Sequence, residues 1–364
     1  MSKPACICHL QSIREHQKIS QAELARRAGL SRQVVNMIEH GRMVPSVLTA
    51  LSLAENLHCA VSDLFQARVA EKLMEVTLSS TVEFPHGQVR LAAVGERWIA
   101  IPVSTPEAPG FGEADGQLLS RQGKIGRVKP LQQEDQLRRN LLLSGCDPAL
   151  GIVRDAWRRN NLEGNVLWQN LSSTASVKAL ASGEAHIAGV HFPDEESERQ
   201  VLASLGIKVS VVRFARWEQG WMLGRGNPLG FRSIEDLTSS RFRFLNRVDG
   251  SGSRLLLDAL LDKAGLDSAQ IPLYSNLAAT HFECATAIRE GRADVAMGLR
   301  AVAESSGLDF VPVQEVAFNL FIPKTELDFA PVAQLLNLLH DRKFKKQLEG
   351  LPGYATLETG KILS

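Results

Sequence analysis

Residues 20–42 read SQAELARRAGLSRQVVNMIEHGR, and this stretch decides the fold of the N-terminal part of the chain. Ser20, with a glutamate three residues later, has the pattern of a capping box and begins a helix. Gly29 follows this helix at a point where the chain turns sharply, because glycine tolerates a positive φ. Ser31 then caps a second helix, which we expect over Arg32–Glu39. The stretch therefore predicts two short helices joined by a glycine-containing turn.

The helical pattern continues on both sides of these two helices. Apolar residues at helical spacing predict a preceding helix that ends near His16, a following helix that begins at Ser46, and a last turn at residues 62–65. We therefore expect an all-α domain over residues 1–66. Its basic and acidic side chains are Lys3, Arg14, Lys18, Arg26, Arg27, Arg32 and Arg42 against Glu15, Glu23, Glu39, Glu55 and Asp63. This mild positive excess favours contact with a phosphate backbone.

Polar side chains at the start of the second helix suit the edges of DNA bases. Arginine at position 32 matches guanine, whereas glutamine at 33 and asparagine at 36 match adenine. Gln21 and Arg42 flank this helix and are candidate phosphate contacts. The predicted DNA-binding residues are Gln21, Ser31, Arg32, Gln33, Asn36 and Arg42.

The segment from Ser20 to Phe65 resembles the lambda-repressor-like helix-turn-helix family, also called Cro/C1 or XRE. The matching residues are Ser20-Gln21-x-x-Leu24-Ala25, Gly29-Leu30-Ser31-Arg32-Gln33, Ile38-Glu39-x-Gly41-Arg42, Pro45-Ser46 and Asp63-Leu64-Phe65. The resemblance implies binding to double-stranded DNA. Because a single helix-turn-helix reads only a short half-site, we expect a homodimer on an inverted repeat. An antitoxin-like or other protein-binding use of this fold is the alternative.

Residues 67–135 have a different hydrophobic pattern. Alternating patterns predict strands at Val89–Val94, Arg97–Val103 and Gly126–Leu131, with a loop over 106–116. The segment that ends at Leu78 is compatible with a linker helix or a strand. We expect a linker and a small β-subdomain of antiparallel strands, which indicates little about chemistry.

From residue 136 to 364 short apolar strands alternate with helices, a pattern that predicts a mostly parallel sheet. The expected strands are Leu141–Leu143, Asn165–Trp168, Ala185–Val190, Phe242–Asn246 and Ala293–Gly298. Several are followed by small hydroxyl residues that begin a helix. Such helix starts carry unpaired N–H groups and the positive end of the helix dipole, so together they predict an anion site outside the carboxyl ends of the strands.

This region, roughly Gln136 to Tyr354, resembles the type II periplasmic-binding-protein fold, in particular the cytoplasmic branch found with helix-turn-helix domains and molybdenum-cofactor proteins. The matching motifs are Ser144-Gly145-Cys146-Asp147-Pro148, Leu180-Ala181-x-Gly183-Glu184-Ala185-His186-Ile187-Ala188-Gly189, Asn246-Arg247-x-x-Gly250-Ser251-Gly252-Ser253-Arg254, Ala279-Thr280-His281 and Gly291-Arg292-Ala293-Asp294-Val295-Ala296-Met297-Gly298. The resemblance implies two lobes that close over an oxyanion such as molybdate or tungstate, although some relatives bind organic acids. The candidate ligand residues are Ser144, Cys146, Asp147, Ser172, Ser173, Ser251, Gly252, Ser253, Arg254, Thr280 and His281.

These candidates also have structural interpretations. The serines and Asp147 fit equally well as helix N-caps. His281 serves either the ligand or a structural bond, and Arg254 suits a carboxylate only if it faces the cleft. Cys146 has the chemistry of a nucleophile, but no histidine is placed by the sequence to activate it. The sequence also lacks the acidic residue that we expect just before Thr280.

Bulk composition limits the remaining possibilities. The 364 residues are too many for one ordinary core, and the net charge of +1 gives no general attraction to polyanions. Five scattered cysteines fit a reducing compartment, and no apolar run is long enough to span a bilayer. No export signal is visible, which disfavours a transport-type binding protein. Cys6, Cys8 and His9 have no second ligand pair at finger-like spacing, so we expect no metal and no cofactor.

The sequence thus predicts a multidomain cytoplasmic regulator: an all-α helix-turn-helix domain, a small β-subdomain and a two-lobed α/β domain that senses a small anionic effector. We expect no catalysis and no membrane partner. The alternatives are a regulator that senses an organic acid, and an enzyme that acts on a small acid and controls its own gene.

Overall fold

A computed structural model describes residues 6–67, 72–79, 87–104 and 112–363. The chain forms two compact units, Met1–Lys72 and Leu73–Ser364. The second unit contains both a β-barrel and the α/β body. Among the described helices, none combines the length and the apolar character that crossing a membrane requires.

The first unit is the helix-turn-helix domain that the sequence predicts. Its helices are α1 (Leu10–His16), α2 (Gln21–Arg27), α3 (Arg32–Glu39), α4 (Val47–Asn56) and α5 (Val61–Leu64). The hydroxyl of Ser20 accepts a hydrogen bond from the N–H of Glu23 at 3.1 Å, and Ser31 caps α3 in the same way. Gly29 makes the turn between α2 and α3 with φ +67°. One feature is missing from the all-α prediction: β1 (Cys6–Cys8) pairs antiparallel with β2 (Phe65–Ala67).

A buried ion pair joins the helices of this unit. Arg14 of α1 donates from Nε to Glu39 of α3 at 2.6 Å, and its Nη1 donates to the carbonyl of Ile19 at 2.8 Å. The Glu39 side chain is fully buried and also accepts from Gln21 of α2 at 2.7 Å. Since three helix segments meet on one carboxylate, losing either charge would leave the other buried and unpaired.

The second unit begins with a closed five-stranded barrel. Its strands are β3 (Met74–Leu78), β4 (Gln88–Val94), β5 (Arg97–Pro102), β6 (Gly116–Gln122) and β7 (Ile125–Pro130), in the order β3-β5-β4-β6-β7. The expectation of purely antiparallel strands is wrong, because the β4–β5 hairpin places β5 beside β3 in a parallel pair. Residues 106–111 of the predicted loop lie outside the described residues, and so do residues 69–71 of the segment ending at Leu78. The described end of that segment is a strand.

The α/β body is built on one mixed nine-stranded sheet. Its strands are β8 (Leu141–Ser144), β9 (Val166–Gln169), β10 (Ile187–Val190), β11 (Val209–Leu223), β12 (Phe244–Arg247), β13 (Leu277–Ala278), β14 (Val295–Leu299), β15 (Asp309–Pro323) and β16 (Tyr354–Ala355). Its helices are α6 (Glu134–Leu137), α7 (Leu150–Arg159), α8 (Ser173–Ala181), α9 (Glu195–Ser204), α10 (Gly252–Ala264), α11 (His281–Arg289), α12 (Arg300–Ser305), α13 (Ala330–His340) and α14 (Arg342–Glu349). The order is β13-β12-β14-β11-β15-β10-β8-β9, with β16 added to β11.

Two 15-residue strands, β11 and β15, connect the two lobes. They pair antiparallel along almost their whole length, from Val209 opposite Pro323 to Leu223 opposite Asp309. The first lobe, with β8–β10 and α7–α9, joins one end of this ribbon through β10. The second lobe, with β12–β14 and α10–α12, joins the other end through β14. The sheet is therefore mixed rather than mostly parallel, since the long ribbon is antiparallel to both neighbours.

The barrel is tied to the first lobe through polar contacts. Arg97 of β5 donates to the carbonyls of Ser182 and Gly183 at the end of α8. The buried His186 accepts from the N–H of Leu142 through Nδ1 at 2.9 Å, so its Nε2 carries the proton and donates to the carbonyl of Ala93 at 2.8 Å. These bonds fix one face of the barrel on the sheet.

Replacing Arg14 with Met should unfold the first unit far more readily than the second. Removing one partner of a buried ion pair costs about 3–5 kcal/mol, because Glu39 stays buried without a counter-charge. All five tryptophans lie in the second unit. In urea unfolding of the whole chain, far-UV circular dichroism should gain an early transition that tryptophan fluorescence does not follow. Arg26→Met, which removes an exposed pair with Glu23, is the matched control. Its unfolding curves by circular dichroism and by fluorescence should match those of the original protein.

Candidate functional site

The α3 helix presents polar residues to solvent and apolar residues to the core. Val35 and Ile38 are buried, whereas Arg32 and Gln33 are exposed and Asn36 is partly exposed. The Ser31 hydroxyl accepts a hydrogen bond from the N–H of Val34. Arg32, Gln33 and Asn36, whose side chains suit base edges, therefore lie on the solvent-facing side of α3, the second helix of the helix-turn-helix pair.

The two flanking residues differ in their surroundings. Gln21 is partly buried and donates to Glu39, so this side chain is oriented by the Arg14–Glu39 pair. Arg42 is exposed, and its backbone N–H donates to the carbonyl of Met37 at 2.8 Å. A phosphate contact from either residue stays a prediction.

In the second unit, the starts of helices from both lobes meet. The Ser173 hydroxyl at the start of α8 donates to the carbonyl of His191 at 3.0 Å. The His191 ring lies against Gly252 at the start of α10, so closely that a Cβ on this glycine would lie 2.1 Å from it. The N–H of Thr174 donates to the carbonyl of Gly250 at 3.2 Å. Glycine at 252 is thus required by contact between the lobes.

Around this contact lies a group of buried polar side chains, which we call the central cluster: Ser173, His191, Trp217, Gln219, Arg247, Ser253 and His281. Trp217 and Gln219 come from the shared strand β11. The Trp217 ring packs edge-on against His191, with centroids 4.8 Å apart, and against His281 at 6.0 Å. Gln219 donates to the Ser253 hydroxyl at 2.6 Å.

Arg247 is the charged residue of the central cluster. It is buried at the end of β12, and its guanidinium donates to the carbonyls of Ala278 and Ala279. Its Nη1 lies 2.9 Å from Nδ1 of His281. Because arginine has only donors, this Nδ1 must accept, and the proton of His281 must sit on Nε2. Nε2–H of His281 is therefore a donor with a fixed position.

Several polar atoms of the central cluster have no hydrogen-bond partner within the described part of the chain. They are His191 Nδ1 and Nε2, Trp217 Nε1, Gln219 Oε1 and His281 Nε2. Buried polar atoms are nearly always paired in folded proteins, so this concentration of unpartnered atoms requires an explanation. Three of them are N–H donors: Trp217 Nε1, His281 Nε2 and one of the two ring nitrogens of His191.

The electrostatics of the central cluster favour an anion. Burial, followed by the charge of Arg247, lowers the pKa of His191 to about 3 and holds the pKa of His281 well below its ordinary value. Both rings are therefore neutral at pH 7. The guanidinium and the positive ends of α8, α10 and α11 remain, and all of them attract negative charge.

Beside the central cluster, the β8–α7 loop carries a second buried group. Tyr354 donates to Asp147 at 2.5 Å, and its ring stacks on Trp217. Burial raises the pKa of Asp147 to about 6 and that of the Cys146 thiol to about 12. Cys146 is therefore protonated at neutral pH and lacks the thiolate that a nucleophile needs.

The remaining predicted ligand residues are placed as follows. Ser172, Ser251 and Thr280 each accept from a backbone N–H as helix N-caps. The buried Ser144 donates to the carbonyl of Ile187 at 3.3 Å. Arg254 does not face the cleft, because Asp258 and Asp249 hold its guanidinium at 3.0 and 3.1 Å over the Tyr274 ring. The prediction of Arg254 as a ligand residue is therefore corrected.

Four residues of the central cluster were not predicted: His191, Trp217, Gln219 and Arg247. Arg247 lay inside a quoted motif, and its position directly after an apolar strand was an available signal. No group of three or more His, Cys, Asp or Glu side chains is arranged to hold a metal ion within the described ranges.

The comparisons with known proteins agree with this architecture. Residues 10–64 match a helix-turn-helix family, and residues 155–340 match the PBP superfamily domain. The second match covers just over half of the chain, which therefore belongs to the PBP superfamily. The chain thus joins a DNA-binding type of domain to a ligand-binding type of domain.

Individual relatives are also recognisable. The chain is 26% identical over 240 residues to the uncharacterized protein YvgK of Bacillus subtilis, covering 64% of this chain and 76% of that protein. It is 32% identical over 111 residues to an uncharacterized protein in a ferredoxin 2Fe-2S gene 5' region of Clostridium pasteurianum, covering 30% and 98%. A putative phosphate ABC transporter substrate-binding protein with bound phosphate from Clostridium perfringens aligns with a TM-score of 0.48 at 13% identity, covering 58% and 97%.

The buried histidines should make the second unit sensitive to acid. His191, with its pKa near 3, His186, with its pKa near 4, and His281 are neutral when folded, but in the unfolded chain each titrates near pH 6.5. Below that pH the unfolded state binds more protons than the folded state. Each histidine therefore lowers the free energy of unfolding by about 1.4 kcal/mol for every unit by which the pH falls. Asp147 acts in the opposite direction between about pH 6 and 4, because its folded pKa is raised.

Urea unfolding followed by tryptophan fluorescence at pH 6 and pH 5 tests this balance. His191→Gln should reduce the loss of stability between the two values by about 1.4 kcal/mol. Asp147→Asn is the matched variant of opposite sign, and it should increase the loss by a similar amount. If the original protein and both variants lost the same free energy of unfolding between pH 6 and pH 5, the assigned protonation states would be contradicted.

Proposed function

We propose that this chain is a transcriptional regulator that binds operator DNA through α3 and senses a small oxyanion in the central cluster. The observation that carries the proposal is the meeting of three helix starts and one buried arginine around unpartnered polar atoms. A cytoplasmic location is part of this proposal, because operator DNA is found there.

The effector class follows from the donors. Arg247, Trp217 and His281 supply N–H groups, and the starts of α8 and α10 add backbone N–H groups. This donor-rich set suits a compact tetrahedral oxyanion of the molybdate, tungstate or phosphate type. A small organic acid is the second candidate, because the neutral His191 and Gln219 also offer acceptors.

An oxyanion in the central cluster gives a simple mechanism of control. The anion contacts both lobes, so it binds the closed arrangement better than an open one and shifts the population towards it. This differential affinity is the free energy available to change how the protein meets DNA.

We also propose that the protein acts as a homodimer. The α4 helix and the loop before it expose an apolar face, with Val47 77% and Leu48 79% exposed beside Val44 and Leu51. An uncovered apolar face of this kind marks an interaction site. A second copy of the same domain satisfies both this face and a two-fold symmetric operator.

We favour a regulator over an enzyme. The thiol of Cys146 is protonated, and the guanidinium of Arg247 carries only hydrogen-bond donors. Arg247 therefore binds and orients an anion, and neither group acts as a general base.

Thermal unfolding with phosphate, molybdate, tungstate, sulfate and small carboxylates tests the effector site. A true effector at 100 times its Kd stabilises the second unit by about 2.7 kcal/mol. Arg247→Met should weaken binding about 100-fold, since a hydrogen bond to a charged group contributes up to about 3 kcal/mol. Arg243→Met, at an exposed pair with Asp294 next to the same strand, is the control and should bind like the original protein.

A second change guards against misfolding of the Arg247 variant. The double variant Ser173→Ala, Ser251→Ala removes two hydroxyls at the starts of α8 and α10 and should also abolish the shift. An unchanged shift in a folded double variant, or no shift with any anion in the original protein, would reject the site.

DNA footprinting tests the role of α3. Arg32→Ala with Asn36→Ala should abolish preference for the operator, because each bidentate base contact contributes about 1–3 kcal/mol of discrimination. Effector binding should not change. Arg26→Ala, which lies on α2 in a pair with Glu23, should keep the footprint. The same footprint from the double variant would show that α3 does not read the bases.

A further inference from the structure

A groove separate from the central cluster lies beside the connecting ribbon. It has a volume of about 540 Å³ and is bordered by α9, β11, β15 and the C-terminal segment near residues 358–363. It shares no lining residue with the central cluster. We call it the lateral groove.

Two buried polar side chains at the floor of the lateral groove have unpartnered atoms. Arg213 of β11 and Asn319 of β15 are direct cross-strand partners, 6% and 2% exposed. In the described part of the chain, Nε and Nη1 of Arg213 and Oδ1 of Asn319 make no hydrogen bond. The nearest carboxylate, Glu358, stands 3.6 Å from Arg213 Nε, beyond hydrogen-bond distance. One neighbouring pair thus offers unused donors and an unused acceptor.

The charges around this pair are unequal. The lining carries the carboxylates of Asp194, Glu195, Glu198, Glu315 and Glu358 against the guanidinium groups of Arg199, Arg213 and Arg216. Arg216 is held by Glu315 and Glu358, and Arg199 by Glu196 outside the groove. The Glu198 carboxylate accepts from the amide of Asn319 at 2.7 Å, and burial raises its pKa. The lateral groove therefore offers one place for an anion and a nearby place for a cation.

We propose that the lateral groove binds an α-amino acid with an apolar side chain. The α-carboxylate accepts from Arg213, in the bidentate manner that guanidinium favours. The ammonium donates to Asn319 Oδ1 and to the carboxylate of Glu198. Phe192, Val211 and Val316 also line the groove and provide apolar surface for the side chain. The site goes beyond the proposed oxyanion site and uses the strands that both lobes share.

Calorimetric titration of the whole chain with L-leucine tests the proposal. Isoamylamine, which lacks the carboxylate, and 4-methylpentanoate, which lacks the ammonium, are the matched probes. We expect leucine to bind at about 10 mM or below and each fragment at least about 30-fold more weakly, since each loses one charge-assisted interaction. Absence of leucine binding, or equal binding of either fragment, would overturn the zwitterion assignment.

Variants locate the binding in the lateral groove. Arg213→Met should weaken leucine binding at least about 30-fold while the oxyanion shift of the second unit is retained, which also shows that the variant is folded. Glu198→Gln changes a partly buried side chain of α9 but keeps an oxygen that can accept from Asn319, so it should weaken leucine binding without affecting folding. Arg247→Met should leave leucine binding intact. Leucine binding that survives Arg213→Met and Glu198→Gln would place the amino acid elsewhere.

Discussion

The antiparallel pairing of β11 with β15 is the constraint on which the α/β body depends. Both strands are 15 residues long, and their ladder connects the parallel strands of the first lobe with those of the second. The central cluster receives Trp217 and Gln219 from this ribbon, and the lateral groove receives Arg213 and Asn319 from it. Register shifts near Ala215 and Gly220 bracket Trp217 and Gln219, so the ladder is irregular where it passes between the lobes. Such irregularities re-aim side chains and increase local twist.

The sequence predicted well whatever is determined locally. Ser20, Gly29 and Ser31 cap and turn the helices of the first unit as expected, because an N-cap or a positive-φ turn depends only on a few neighbouring residues. Short buried strands such as Leu141–Ser144 were located to within a residue or two for the same reason. The helix starts at Ser173 and Gly252 meet as the rule for open α/β sheets predicts.

Features that depend on distant pairing were not predictable in this way. The segment Val209–Leu223 is buried on both faces, so it lacks the alternation that marks a strand, and its charged residues hide a continuous apolar pattern. The parallel β3–β5 contact follows from barrel closure, which no local pattern encodes. Arg254 and Arg247 lie in the same motif, and only Arg254 was predicted as a ligand residue. Only the fold shows that Arg254 forms an ion pair with Asp258. It also shows that Arg247 donates to the carbonyls of Ala278 and Ala279.

The unpartnered atoms of the central cluster also suggest why an effector could act as a switch. With the lobes in contact, His191, Trp217, Gln219 and His281 are buried, and each buried polar group without a partner costs about 1–3 kcal/mol. Contacts such as Gly252 against His191 offset part of this cost. In the function that we propose, an oxyanion that accepts from Trp217, His281 and Arg247 removes this penalty only when the two lobes are in contact. The difference in affinity between the two arrangements, which any population shift requires, therefore arises from desolvation of the protein's own donors as much as from the charge of the ligand.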